Sequence, residues 1–194
     1  MSVSTPLPFP YADKTDPVFN TLNQEPEVEF AEQFTKLLGK FVYCTNAQEL
    51  AFQLNSLVRK QGWQKVYCNE EKLLQLIAQS SSEYCIADVL ACCYVSITSC
   101  EALIARTGSI MMTSAQPGGR TVSVYAPIHI CIAWTSQLVY DIKDALQLVK
   151  SKYGNDLPSL ITFATGPSRT ADIEKTLVVG VHGPKEVYCF LVDE

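Results

Sequence analysis

Leu160-Ile161-Thr162-Phe163-Ala164 runs into Gly166-Pro167-Ser168-Arg169-Thr170-Ala171-Asp172-Ile173-Glu174 and then Gly180-Val181-His182-Gly183-Pro184, and the reading of the chain turns on this stretch. The first five residues are apolar enough for a buried strand. Ile173, Leu177 and Val181 recur every fourth residue, the spacing of a helix face. This predicts a strand, a turn carrying Ser168 and Arg169, and a helix from Thr170. In open α/β sheets ligands bind at such turns, because backbone N–H groups and the positive helix end converge there.

Working outward, strands and helices alternate. Pro26, Val28, Phe30, Phe34, Leu37 and Leu38 predict a first helix ending at Gly39. Residues 41–44 predict a strand, and Asn46 with Glu49 three positions on predicts a capped helix start. Leu50, Leu54, Leu57 and Val58 give that helix its apolar stripe, and Gly62 stops it. Residues 65–68 predict a second strand, and Asn69 caps a third helix carrying Leu73, Leu74 and Ile77. Later come a strand over 128–134, a helix with Ile142, Ala145, Leu146 and Val149 stopped by Gly154, and a strand over 186–192. Alternation with short loops implies βαβ units and a largely parallel sheet. In between, residues 109–113, the turn Pro117-Gly118-Gly119 and residues 121–124 predict a β-hairpin. Residues 1–25 hold Pro6, Pro8, Pro10 and Pro17 and are expected as an extended N-terminal arm; residues 26–194 are expected as a single domain.

The totals narrow the function classes. With 194 residues, 47% hydrophobic and 18% charged, the chain is globular. A net charge of −5 and no run of basic residues argue against nucleic acid as a partner. The longest apolar segment, residues 122–140, is broken by Pro127, His129, Ser136 and Gln137, so no membrane span is expected. Neither is a secretory leader, since no basic stretch precedes an apolar one at the start. Cys44, Cys68, Cys85, Cys92, Cys93, Cys100, Cys131 and Cys189 contain no C-x-x-C spacing. Four of them fall in apolar runs, which favours reduced, mostly buried thiols and a cytoplasmic location over disulfides, a zinc site or an iron–sulfur cluster.

Several residues carry chemistry. Arg169 between Ser168 and Thr170 suits a carboxylate or phosphate, held by charge-assisted hydrogen bonds. The plainer alternative is a cap, with Arg169 paired to Asp172, whose charge also suits a helix start. His182 reads as an anion contact or a helix C-terminal cap, and His129 as a site residue or a core histidine. Arg106-Thr107-Gly108-Ser109 and Gly118-Gly119-Arg120 form a second, weaker anion-binding lip. Glu101 and Glu174 are candidate acids or bases, and no nucleotide-binding glycine motif is present. If the site is single, Arg106, Arg120, Arg169 and His129 meet in one cleft at the carboxyl ends of the parallel strands.

At these residues the chain resembles the LUD-domain family, the group of lactate-utilisation protein C. The resemblance rests on Gly166-Pro167-Ser168-Arg169-Thr170-Ala171-Asp172-Ile173-Glu174 and Gly180-Val181-His182-Gly183-Pro184. It is supported by Ile104-Ala105, Thr107-Gly108-Ser109, Gly119-Arg120 and Pro127-Ile128-His129-Ile130. It implies an α/β fold with three layers, a mostly parallel mixed sheet and a β-hairpin insertion, like the NagB/RpiA/CoA-transferase group. It implies a non-redox subunit or accessory factor in the oxidation of L-lactate to pyruvate, binding a small anionic metabolite. Arg106, Thr107, Gly108, Ser109, Arg120, His129, Gly166, Pro167, Ser168, Arg169, Thr170, Asp172 and His182 are its candidate anion-binding residues. No cofactor is expected in this chain; iron–sulfur clusters would belong to partner proteins, and a homo-oligomer is an open expectation. Where the family is expected to carry an acidic residue this chain has Arg106, which makes the pocket more anion-friendly. Two alternatives stay open: a stand-alone enzyme acting on an anionic metabolite, like distant fold relatives, and a pure protein-interaction module.

Overall fold

The computed structural model describes residues 24–78, 85–173 and 176–194, and for residues 78, 85, 170–173 and 176–178 the backbone alone. The expected arm lies almost entirely outside the described residues, as does Glu174.

The first half folds as its local signals dictate. Helix α1 (Pro26–Lys36) buries Phe30 and Phe34. Strand β1 (Lys40–Cys44) leads to α2 (Ala47–Gln61), where the Asn46 side chain accepts the Glu49 N–H at 2.9 Å. Leu50, Leu54 and Val58 form the buried stripe of α2, and Gly62 ends it at φ 67°. Strand β2 (Lys65–Tyr67), α3 (Glu71–Ala78), β3 (Cys85–Ile86) and β4 (Val95–Thr98) follow. At the start of α3 the Glu70 carbonyl accepts the Leu74 N–H at 2.9 Å, and Asn69 Nδ2 donates to the Pro117 carbonyl 2.9 Å away.

Six strands make one wholly parallel sheet in the order β1-β12-β7-β4-β2-β3, where β7 is Ile128–Trp134 and β12 is Glu186–Val192. Both β7 and β12 are apolar almost throughout, as strands covered on two faces must be. On one face α2 and α3 pack over Ile128, Ile130, Ile132, Tyr188 and Phe190. On the other, Cys131, Ala133, Val187, Cys189 and Leu191 meet α1 and a second sheet. That sheet is mixed, in the order β8-β5-β6-β9, with β5 (Ala102–Ile104), β6 (Ser109–Thr113), β8 (Leu138–Val139) and β9 (Ile161–Ala164). Helix α5 (Ile142–Tyr153) covers its outer side through Ala145 and Val149.

Two expectations fail. Residues 109–113 are a strand, but β6 pairs with β5 and β9, and residues 122–125 form the short helix α4 (Val122–Tyr125). The Gly118 carbonyl accepts the Val122 N–H, a helical i→i+4 bond, so the Pro-Gly-Gly turn feeds a helix and not a returning strand. The predicted helix from Thr170 is absent. Its residues form an antiparallel hairpin of β10 (Arg169–Ile173) and β11 (Thr176–Val179).

Of the cysteines, Cys44, Cys68, Cys100, Cys131 and Cys189 are buried thiols, Cys93 is half-buried and Cys92 is exposed. Burial pushes the Cys44 and Cys68 thiols up to about 11, which leaves them neutral and unreactive.

Candidate functional site

The residues singled out above fall in three places. The first lies under α1. The backbone of Gly108 (φ 59°) comes so close to α1 that an added Cβ would stand 2.4 Å from the Phe34 nitrogen. Gly166 (φ 80°) likewise abuts the Leu37 carbonyl, 2.3 Å from an added Cβ. Both glycines therefore admit this protein's own backbone. Between them runs a chain of hydroxyls: Thr107 Oγ1 donates to Ser109 Oγ at 2.8 Å, and Ser109 Oγ meets Thr165 Oγ1 at 2.9 Å. Arg106 is turned away. Its Nε and Nη2 donate to the two carboxylate oxygens of Asp141, each at 2.9 Å. That bidentate pair raises the guanidinium pKa and holds Asp141 below the usual carboxylate range. Arg106 is thus spent on fixing the entry to α5.

The second place is where the three glycine- and proline-bearing motifs meet. The Ser168 N–H donates to the Pro184 carbonyl and the Ser168 carbonyl accepts the Gly180 N–H, both at 2.9 Å. The Lys185 N–H donates to the Pro127 carbonyl at 2.7 Å. These bonds gather residues 166–169, 180–185 and 127 at the amino ends of β7 and β12, not at the carboxyl ends. The carboxyl-end expectation fails for a topological reason: β9 belongs to the second sheet, so the turn after it is not an end of the parallel one. Pro167 is buried, while Arg169 and His182 are exposed and Ser168 is half-exposed. Arg169 pairs with no carboxylate among the described residues. The stem of Lys185 lies across Gly180, where an added Cβ would stand 2.1 Å from Lys185 Cγ. Arg169, His182 and Lys185 thus bring cationic or protonatable groups to the base of one hairpin. Thr170 and Asp172 lie in β10, and their side chains are outside those described.

The third place is the carboxyl edge of the parallel sheet. Arg120 lies here, donating to Ser159 Oγ, and β6 separates it from Arg106: Ser109 to Thr113 spans ~14 Å at about 3.4 Å per residue. The two arginines are bonded at opposite ends of β6, Arg106 to Asp141 and Arg120 to Ser159. His129 is 1% exposed, and its Nε2 meets Thr98 Oγ1 at 2.8 Å. Burial pushes its pKa down to about 4, so it is a neutral core histidine. Above it, Glu70, Thr98, Ser99, Gln116, Gly118 and Gly119 line a crevice of about 10 Å³, room for one water. Glu70 Oε1 accepts the Ser99 N–H at 2.7 Å and Oε2 accepts the Ser99 hydroxyl, while Gln116 Nε2 donates to Ser99 Oγ at 3.2 Å.

Sequence reasoning missed Glu70, Ser99 and Gln116. No motif marks them; position alone signals Glu70, just past the strand predicted over 65–68, and Gln116, just before the Pro-Gly-Gly turn, and nothing in the sequence signals Ser99. Glu101, the other candidate acid, is 4% exposed and accepts from Lys152 (2.7 Å), Tyr153 (2.6 Å) and Thr113 (2.9 Å). Burial raises its pKa, but these donors lower it further, so it stays a structural carboxylate. Among the described residues no three His, Cys, Asp or Glu side chains are placed to share a metal ion. No described helix is long and apolar enough to cross a membrane.

A parallel sheet clad by helices on one face and by a mixed sheet on the other defines an α/β protein of the architecture expected. The chain belongs to the LUD domain family, whose model matches residues 28–192. It is 36% identical over 102 residues to Lactate utilization protein C of Bacillus licheniformis, covering 52% of this chain and 42% of that protein. It is 39% identical over 101 residues to Lactate utilization protein C of Shouchella clausii, covering 52% of this chain and 44% of that protein. The match thus spans less than half the length of these curated relatives. The fold resembles the crystal structure of a DUF162 family protein from Deinococcus radiodurans, with a TM-score of 0.62 and 17% identity over 86% of this chain and 98% of that one. At that identity the likeness bears on the fold alone.

Proposed function

We propose that the chain is a non-redox, anion-binding member of a cytoplasmic lactate-utilisation system, taking a small carboxylate at Arg169 with Ser168, His182 and Lys185 around it. The observation that carries this reading is an exposed guanidinium with no carboxylate partner among the described residues, at the junction of the three motifs. Arg106, by contrast, is neutralised by Asp141. The names of the relatives supply the metabolic setting, and electron transfer falls to partner proteins carrying iron–sulfur clusters.

Thermal unfolding with L-lactate, pyruvate and inorganic phosphate tests the site. A ligand held there at about 100 times its Kd adds roughly 2.7 kcal/mol, and Arg169→Ala removes the gain. An Arg169→Ala protein that folds and keeps the whole ligand-induced shift would overturn the assignment. Anaerobically purified chain is expected to carry neither iron nor sulfide; near-stoichiometric amounts would place the clusters here instead.

One observation favours a second reading, a stand-alone enzyme. The polar crevice of Glu70, Ser99 and Gln116 sits at the carboxyl edge of a parallel sheet, where α/β enzymes place their chemistry. In that reading Ser99→Ala abolishes turnover of an anionic metabolite, while Arg169→Ala, at the other end of the sheet, leaves turnover unchanged.

A further inference from the structure

The opposite edge of the parallel sheet holds a larger opening. At the amino ends of β2, β4, β7 and β12 a cavity of about 650 Å³ is bounded by Trp63, Lys65, Cys92, Cys93, Tyr94 and Glu186, among others. Small-molecule sites are commonly of this size. Cys92 ends a single 3-10 turn, Leu90–Cys92, and its thiol is exposed, while the adjoining Cys93 is half-buried. The five other cysteines whose side chains are described are all buried, three of them between the two sheets. Among the described thiols, a reagent arriving from water therefore meets Cys92 first. The near-buried ring of Trp63 and the more exposed ring of Tyr94 supply apolar wall, and exposed Lys65 supplies positive charge.

We propose that Cys92 is an exchange site for low-molecular-weight disulfides carrying carboxylates, with Cys93 as the resolving thiol. In the first step Cys92 loses its proton to solvent and its thiolate attacks one sulfur of the small disulfide. That S–S bond breaks, and the distal half leaves as a thiolate that takes up a proton. The retained half stays joined to Cys92 as a mixed disulfide in the cavity. In the second step Cys93, deprotonated, attacks the Cys92 sulfur and expels the retained half as a second thiol. Two protein thiols are oxidised and one small disulfide is reduced to two thiols.

Neighbouring Cα atoms stand ~3.8 Å apart, short of the usual range of about 4.4–6.8 Å for disulfides, so the product ring is strained and readily reopened by added thiol. Burial raises the Cys93 thiol pKa, which makes the second step the slower one and lets the mixed disulfide accumulate.

The test uses the full chain and oxidised glutathione, read by intact mass and peptide mapping. One glutathionyl group is expected on Cys92, giving way on longer incubation to a Cys92–Cys93 disulfide. Cys93→Ser should stop at the mixed disulfide, and Cys92→Ser should take up no label over the same time. Labelling of Cys85 or of a buried cysteine in place of Cys92, or unchanged uptake by Cys92→Ser, overturns the proposal. Native-state alkylation of the unmodified protein gives a check that needs no variant: Cys92 reacts first, and equal rates at Cys92 and the buried thiols overturn it as well. Lys65→Glu should slow exchange with oxidised glutathione and leave exchange with neutral 2-hydroxyethyl disulfide unchanged. Equal slowing of both, or of neither, removes the cavity from the proposal.

Discussion

Gly108 and Gly62 share a left-handed backbone, yet substitutions at the two should differ. An alanine methyl at Gly62 (φ 67°) meets nothing within 4 Å and adds only the conformational cost, about 1 kcal/mol. At Gly108 the same methyl runs into the α1 backbone, so Gly108→Ala should cost about 2–4 kcal/mol in urea unfolding. In sequence Gly108 reads as part of an anion-binding lip; that the α1 backbone comes against it is not legible there, because the neighbour lies in another element. His129 makes a second residue-scale prediction. Its folded pKa of about 4 lies below the unfolded value near 6.5, so only the unfolded chain takes up a proton between them. Stability is therefore full above pH 6.5 and falls as pH drops toward 4, by roughly 3 kcal/mol in all. His129→Gln, which cannot charge, should flatten the denaturation midpoints between pH 6.5 and 4.5. An unchanged slope there would assign the loss to other groups.

At the scale of elements, legibility tracked whether the deciding contacts are local. Helix α2 was readable end to end because its cap, stripe and stop all lie within its own residues. The hairpin of β10 and β11 was not. Ile173, Leu177 and Val181 are four apart, and four is close to a helical repeat but also twice the strand period of two. Only pairing partners decide between them, and Thr170 faces Val178 across the hairpin. The proposed anion site at Arg169 consequently rests on a hairpin base and has no helix dipole to draw on. α1 shows a smaller surprise: the left-handed residue after it is Leu38 (φ 68°), not the Gly39 that looked like the stop. Gly39 is instead required by the Phe34 ring, 2.4 Å from an added Cβ. Leu38 is 58% exposed, so Leu38→Asn forfeits little burial and relieves the strain. A gain of up to ~1 kcal/mol is expected in denaturant unfolding, and a loss of that size would show that Leu38 packs better than its exposure suggests.

For the molecule as a whole, alternation correctly implied a parallel sheet, whereas the second sheet was not foreseen: β6 and β9 were read as strands, but the short β5 and β8 were not, nor was their pairing across distant parts of the chain. Glu101 holds that sheet to α5, joining Thr113 on β6 to Lys152 and Tyr153. Glu101→Ala should cost about 2–4 kcal/mol, since it strips three donors of their acceptor. Lys152→Ala should cost under ~1 kcal/mol, because that ammonium is 55% exposed. Equal losses would show that the charge and not the buried hydroxyl bonds does the holding. The strand order carries a further consequence. β12 lies between β1 and β7 and, among the described residues, is the only hydrogen-bonded neighbour of β1 in the sheet. On a ribosome, residues 40–44 must therefore wait as an unpaired ribbon until residues 186–192 have cleared the exit tunnel. The apolar face of β7 waits with them. Until then the nascent chain offers a strand-shaped vacancy that a chaperone, or a second unfinished copy, can occupy first.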